Sequence, residues 1–406
     1  MVQSGVVMSS RAAAAGNTVL VEHPSSSAVA RIVGGGERVE FCHGGRGHTF
    51  HSLWLRERST TAGSVDPVNR QRLYEPLDVD ADLRITWCRV DESRLLVEFS
   101  DGHHAEFLFH DLAEAIRVAD GAVAEEEPPA PEPWVAAGFH VPVVSWEGLH
   151  GADHLDATIA ALDAFFRYGF FVLRGTLAQP GALNAVAAHF GRISATNFGT
   201  LFDVRAVPMP VDLAYTPVAL SAHTDQPYRR PTPGIQFLHA IVNDAPGGDS
   251  TIVDGLAAIR ALREFDEQAY DVLSTLPVEY RYDIGTDVKV ARAPMIELRP
   301  DGTLGQFRFS TRLDYAPAAD PDVLDVYYRG RRWLAAALND PARQVQFRLL
   351  AGDVAVVDNH RVLHGRTAFD SSGGARHLQG CYIDHDGPAT MWTLAMRRLR
   401  AEATPR

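Results

Sequence analysis

Cysteine is scarce in this chain. Its 406 residues include three, Cys42, Cys88 and Cys381, far apart and without a C-x-x-C pair. A sparse, odd count offers no disulfide framework and fits a reducing compartment, so the expected location is cytoplasmic. It also removes any cysteine-rich zinc site. Long apolar runs are missing too. None approaches the ~20 residues that a membrane-spanning helix needs, so no membrane association is expected. Positive charge is not in excess: the formal net charge is −13. That argues against nucleic acid or an anionic membrane surface as the main partner. A small anionic ligand is still allowed, because it needs only one or two arginines.

What is present is ordinary soluble globular composition, 46% hydrophobic and 22% charged. The length allows two domains, or one large domain with an extension. Residues 1–30 are rich in Ala and Ser but have no long apolar core, which predicts a disordered tail rather than a signal peptide. From Arg31 to about 118, "RIVGGGERVEF" and "RLLVEFSDGHHAEFLF" alternate apolar and polar residues. They read as antiparallel strands, with "SDG" as a hairpin turn, in a small β-rich N-terminal domain. Residues 119–140 are acidic and Pro-rich, which predicts a linker or a wrapped extended arm.

Residues 141–406 form the second domain. It opens with a helical pattern ending at Gly169 and the strand "FFVLRG"; "QPGALNAVAAHFG" is a second helix. Many short strands follow, interrupted by two helical segments, "LAAIRALREFDEQAYDVLSTL" and "PDVLDVYYRGRRWLAAALND". This predicts an α+β, mostly β chain with a β-sandwich or jelly-roll core.

Within it, "LSAHTDQPYRR" sets His223 and Asp225 one residue apart. On a strand, residues i and i+2 share a face, so the two side chains could meet on a metal, on a substrate proton, or on each other. A third element, "GDVAVVDNHRVLHGR", contains His364. Two histidines and one carboxylate form the facial set that holds non-haem Fe(II), leaving three positions open for a bidentate co-substrate and O2. Arg376, in "GGARHLQGCYID", offers a forked, permanently charged contact for a carboxylate. Taken singly, H-x-D is a common chance pattern, His364 could be a core histidine, and Arg376 a surface ion-pair partner.

The stretch "YTPVALSAHTDQPYRRPTPGIQFLHAIVNDAPGGDSTIVDG", with "DNHRVLHGRTAF" and "RHLQGCYID", resembles the γ-butyrobetaine hydroxylase-like branch of the TauD/TfdA family of Fe(II)/2-oxoglutarate dioxygenases. "FHSLWLRER" is similar to the small β domain that precedes the catalytic domain in that branch, and the resemblance spans about residues 31–395. It implies a double-stranded β-helix with His223, Asp225 and His364 as catalytic iron ligands. It places the distal carboxylate of 2-oxoglutarate on Arg376, with Leu238 lining that site and Ser250 as a further candidate. The implied reaction uses O2 to convert 2-oxoglutarate to succinate and CO2 while a substrate C–H is hydroxylated. Desaturation or cyclisation by the same chemistry, or a non-catalytic jelly-roll binding module, are the alternatives.

Departures from the family carry expectations of their own. The branch often holds zinc by three Cys and one His, but "WLRERSTTAGSVDPVN" has no cysteine, so no structural zinc is expected and packing alone should stabilise the module. The positions matching the family's substrate pocket are Phe198, Phe202, Asp212, Tyr215, Gln226 and Tyr382. Ser310 and Thr311 stand where relatives carry a paired Asn. Phe198 and Phe202 could equally be core. These changes point away from γ-butyrobetaine itself and toward another small polar molecule, amine or quaternary ammonium. The N-terminal module and the helix "YYRGRRWLAAAL" offer surfaces for a homodimer.

Overall fold

The computed structural model describes residues 21–22, 28–119, 126–205 and 216–403. The chain divides into two compact units, Met1–Glu125 and Glu126–Arg406.

In the first unit, β1 (Val21–Glu22), β2 (Val29–Val33), β3 (Arg38–His43) and β4 (Arg46–His51) form an antiparallel sheet in that order. β1 lies inside the stretch expected to be tail. Helix α1 (Ser52–Arg58) follows, then the sheet β5 (Ile85–Asp91), β6 (Arg94–Phe99) and β7 (His104–Leu108), and helix α2 (Phe109–Ala119). Alternation sends Val39 and Phe41 of β3 and Leu95, Val97 and Phe99 of β6 into one apolar core. Packing is not the whole account of this unit. Just past α1, the hydroxyls of Ser59, Thr61 and Ser64 lie 2.8, 3.3 and 3.3 Å from His103 Nε2. That polar hub ties the loop after α1 to the β6–β7 turn.

The second unit begins within the Pro-rich stretch, which behaves as an arm from Glu126 onward. Trp134 is buried, its indole N–H donates to the Tyr168 carbonyl at 2.8 Å, and its backbone N–H donates to Asp254 Oδ2 at 3.0 Å. The elements then run β8 (Val143–Ser145), α3 (His154–Tyr168), β9 (Phe170–Arg174), α4 (Leu183–Phe190), β10 (Phe202–Val204), β11 (Leu220–His223), β12 (Ile235–Asn243) and β13 (Ser250–Asp254). After them come α5 (Gly255–Phe265), α6 (Glu267–Thr275), β14 (Val278–Asp283), β15 (Val288–Ala293), β16 (Ile296–Leu298), β17 (Leu304–Phe307), β18 (Asp314–Tyr315) and α7 (Pro321–Leu338). The chain closes with β19 (Val345–Phe347), β20 (Val354–Asp358), β21 (Val362–Arg366), β22 (Arg376–Ile383) and α8 (Asp386–Ala403).

Two sheets make the jelly roll. One has the order β10-β22-β12-β20-β9-β8, the other β11-β21-β13-β19. Period-two alternation decides what each face of the larger sheet meets. Phe171 and Leu173 of β9, Phe237 of β12, and Val354 and Val356 of β20 pack outward under α3 and α4. Their neighbours Phe170, Val172, Ala355 and Val357 pack inward, against Ile252 and Val362 of the smaller sheet. Both faces are covered, which is why these strands read as continuous apolar runs.

One local expectation is corrected, and one element was not foreseen. The segment 256–276 is not one helix. Asp266, at φ −152° and ψ 86°, ends α5, and its carboxylate accepts the Ala269 N–H at 3.0 Å to cap α6. The C-terminal helix α8 was not anticipated.

Candidate active site

β11 pairs with β21 so that His223 stands directly opposite His364. Cross-strand partners lie about 4.5–5.5 Å apart at Cβ, and the two rings have centroids 4.6 Å apart. Asp225 is not on the strand. β11 ends at His223, and the carboxylate is delivered by the following turn. Thr224 secures that turn: its N–H donates to the Phe309 carbonyl at 2.8 Å, and its Oγ1 accepts the Phe309 N–H at 2.9 Å. The result is compact. Asp225 Oδ1 is 3.5 Å from His223 Nε2 and 3.6 Å from His364 Nε2. Among the described residues, His223, Asp225 and His364 form the one group of potential metal ligands whose donor atoms all lie within 4.8 Å of one another.

The protonation states suit a cation. His223 Nδ1 sits 2.9 Å from the Ser221 carbonyl, which favours the Nδ1–H tautomer and leaves the Nε2 lone pair facing the carboxylate. Burial pushes His364 down to about 4, against the pull of Asp225, so its imidazole is neutral at physiological pH. Burial works to raise the Asp225 carboxyl, but His364, His223 and the Tyr382 hydroxyl outweigh it and hold it well below the usual carboxylate range. Tyr382 Oη donates to Asp225 Oδ2 at 2.6 Å, and Gln236 Nε2 donates to the same oxygen.

These groups line a cavity of about 430 Å³. Arg376, the first residue of β22, also lines it and is buried. Its Nη2 donates to the Gly248 carbonyl at 3.2 Å, while Nε and Nη1 are buried without a partner. Unpaired guanidinium donors are costly inside a protein unless a ligand takes them. Burial, with Arg366 and Arg348 nearby, lowers Arg376 to about 10, still cationic at physiological pH. Gly248 is a glycine for a reason. At φ +70°, a Cβ there would sit 2.8 Å from Arg376 Nε. The donor set therefore fits both groups: two imidazoles and a carboxylate for Fe(II), and a fork with two open donors for a carboxylate of 2-oxoglutarate.

The profile of the family described as "Taurine catabolism dioxygenase TauD, TfdA family" matches residues 132–382. The chain belongs to that family. By that membership it is a 2-oxoglutarate-dependent dioxygenase, and it consumes O2. Gamma-butyrobetaine dioxygenase of Pseudomonas sp. (strain AK-1) is 37% identical over 348 residues, covering 84% of this chain and 89% of that one. Mitochondrial trimethyllysine dioxygenase of Rattus norvegicus is 26% identical over 346 residues, covering 83% and 80%. The solved non-heme iron oxygenase OrfP in complex with Fe and alpha-ketoglutaric acid is more distant, at 18% identity and a TM-score of 0.45 over 58% of this chain and 80% of that one.

The remaining sequence candidates fall in different places. Leu238, Ser250, Gln226 and Ser310 line the same cavity. Phe198 and Phe202 also line it, and Phe202 stacks on the Tyr382 ring at 5.3 Å and 25°. Gly380 makes that stacking possible, since a Cβ there would meet the Phe202 ring at 2.4 Å. Thr311 does not line the cavity: its side chain is exposed and its carbonyl accepts from Arg331. Asp212 and Tyr215 lie outside the described residues. Sequence reasoning missed Tyr228 and Tyr282, which stack at 5.0 Å on the cavity wall, and Gln236. The signal for Gln236 was available, as the one polar residue in the apolar run "IQF".

Proposed function

We propose that this protein binds Fe(II) through His223 Nε2, Asp225 Oδ1 and His364 Nε2, holds the distal carboxylate of 2-oxoglutarate on Arg376, and hydroxylates a C–H of a small polar molecule bearing an ammonium group. The observation that carries the reading is the convergence of three ligand atoms in a cavity that also contains two unpaired guanidinium donors. The bound cofactor and co-substrate supply the oxidation of the C–H, with succinate and CO2 as co-products.

The chain's own residues do the rest. Arg376, beside Leu238 and Ser250, orients the co-substrate. The aromatic wall of Phe198, Phe202, Tyr228, Tyr282 and Tyr382 excludes water and presents ring faces that attract a cation. The enzyme names of the relatives, acting on γ-butyrobetaine and trimethyllysine, support a quaternary ammonium substrate class. Ser310, where relatives carry Asn, favours a member other than γ-butyrobetaine.

The test is succinate formation by the purified protein with Fe(II), 2-oxoglutarate and O2, against a panel of amines, betaines and amino acids. Substrate-stimulated succinate is expected with at least one ammonium compound. It should vanish in His223→Ala and Asp225→Ala, with the fold intact. Full activity in either variant would refute the ligand assignment.

A further inference from the structure

The iron reading leaves one question about Asp225. A carboxylate can bind a metal through one oxygen or through both. In an octahedral site the difference decides the reaction. Two imidazoles and one carboxylate oxygen leave three positions, enough for a bidentate co-substrate and O2. A second carboxylate oxygen on the metal would take the last of them.

This chain contains a device that governs that choice. Gln236 on β12 and Tyr382 on β22 are directly paired across the sheet, so their side chains emerge side by side into the cavity. Both donate to Asp225 Oδ2, Tyr382 at 2.6 Å. A carboxylate oxygen has about two lone-pair sites, so Oδ2 is fully engaged. Oδ1 faces the two histidine Nε2 atoms, at 3.5 and 3.6 Å. Turning the carboxylate to offer both oxygens would break both of these part-buried hydrogen bonds. Gln236 Nε2 also lies 3.2 Å from His364 Nε2. His364 Nε2 would hold the ion through that lone pair, leaving Gln236 Nε2 to Asp225 Oδ2.

We propose that Tyr382 and Gln236 are positioning residues that restrict Asp225 to a single metal-binding oxygen and so keep a coordination position open. Tyr382 has a second attachment. Its ring stacks on Phe202 of the cavity wall, so the side chain that fixes the metal carboxylate is also part of the substrate's surroundings. The proposal rests on the iron reading above.

The experiment uses the full-length protein without oxygen. Co(II) affinity is measured for wild type, Tyr382→Phe, Gln236→Leu and the double variant. The visible charge-transfer band of the Fe(II)·2-oxoglutarate complex and the thermal melt are recorded for each. Tyr382→Phe keeps the stacked ring and removes one hydroxyl. Each single variant is expected to lose about tenfold in Co(II) affinity and to shift the band, with the melt within a few degrees of wild type. The double variant should depart from additivity, because both donors share one oxygen. Wild-type affinity and an unshifted band in both single variants would overturn the proposal. A wild-type protein that binds no Co(II) would overturn the iron reading and this inference together, whereas binding with unchanged variants overturns this inference alone. If Gln236→Leu fails to fold, Tyr382→Phe decides.

Discussion

Asn359 grips the backbone of Asp225 from both sides. Its Oδ1 accepts the Asp225 N–H at 2.7 Å, and its Nδ2 donates to the Asp225 carbonyl at 3.1 Å and to the Pro233 carbonyl at 2.9 Å. Asn359 is fully buried, in the turn between β20 and β21. The turn that delivers one proposed ligand is thus fastened to the segment that leads to another, His364. Asn359→Leu removes both grips and leaves buried backbone groups unpaired. It should lower metal affinity about tenfold to a hundredfold and cost about 1–3 kcal/mol of stability. Metal titration and urea denaturation of the same variant measure the two effects separately.

Arg376 offers two free guanidinium donors to a carboxylate. Arg376→Met should raise the KM for 2-oxoglutarate about tenfold to a hundredfold, from a loss of roughly 1.5–3 kcal/mol for hydrogen bonds to a charged group. Gly248→Ala should act in the same direction without touching charge, because the added Cβ meets Arg376 Nε and the backbone φ of +70° is strained for alanine. Steady-state kinetics varying 2-oxoglutarate checks both. An unchanged KM in Arg376→Met would remove the carboxylate site.

His360 is a half-buried base outside the ligand set. Its Nε2 lies 2.9 Å from Thr232 Oγ1, and burial lowers it to about 4 against the pull of Asp358. In the unfolded chain it titrates near 6.5. Between those values the unfolded state binds the extra proton, so stability is full above about 6.5 and falls as pH drops toward 4. At pH 5 the loss should be on the order of 1–2 kcal/mol. His385, raised by Asp358, works in the opposite direction, so the difference between wild type and His360→Gln isolates the effect. Urea denaturation at pH 7 and pH 5 should show a smaller drop in the variant.

Arg361 and Asp254 form an ion pair almost fully withdrawn from water, with Nε to Oδ1 at 2.9 Å and Nη2 to Oδ2 at 3.1 Å. Asp254 also caps α5 through the Leu256 N–H and holds the Trp134 N–H. Removing one partner strands the other. Arg361→Leu should destabilise by about 3–5 kcal/mol, read as a lower denaturation midpoint. Metal ligation should be unaffected in the fraction that remains folded.

Part of the site is legible in the chain itself. Taken together, the residue types His223, Asp225, His364 and Arg376 point to a proposed metal site and a proposed carboxylate site, because few side chains suit those jobs. The continuous apolar runs of β9, β12 and β20 mark buried strands, and the acidic Pro-rich stretch marks an extended segment. These are local properties, set by side-chain chemistry and backbone period. Tertiary structure decided the rest. Strand register put His223 opposite His364, and no local pattern encodes which strand pairs with which. The i, i+2 argument placed Asp225 on a strand, but a turn held by Thr224, Phe309 and Asn359 delivers it. Tyr382 matched a substrate-facing position, yet its hydroxyl is spent on Asp225, since only the pairing of β12 with β22 sets it beside Gln236. The break at Asp266 was hidden because both halves keep helical spacing and the capping bond forms only in three dimensions. Local chemistry names the participants; long-range pairing decides whom each one meets.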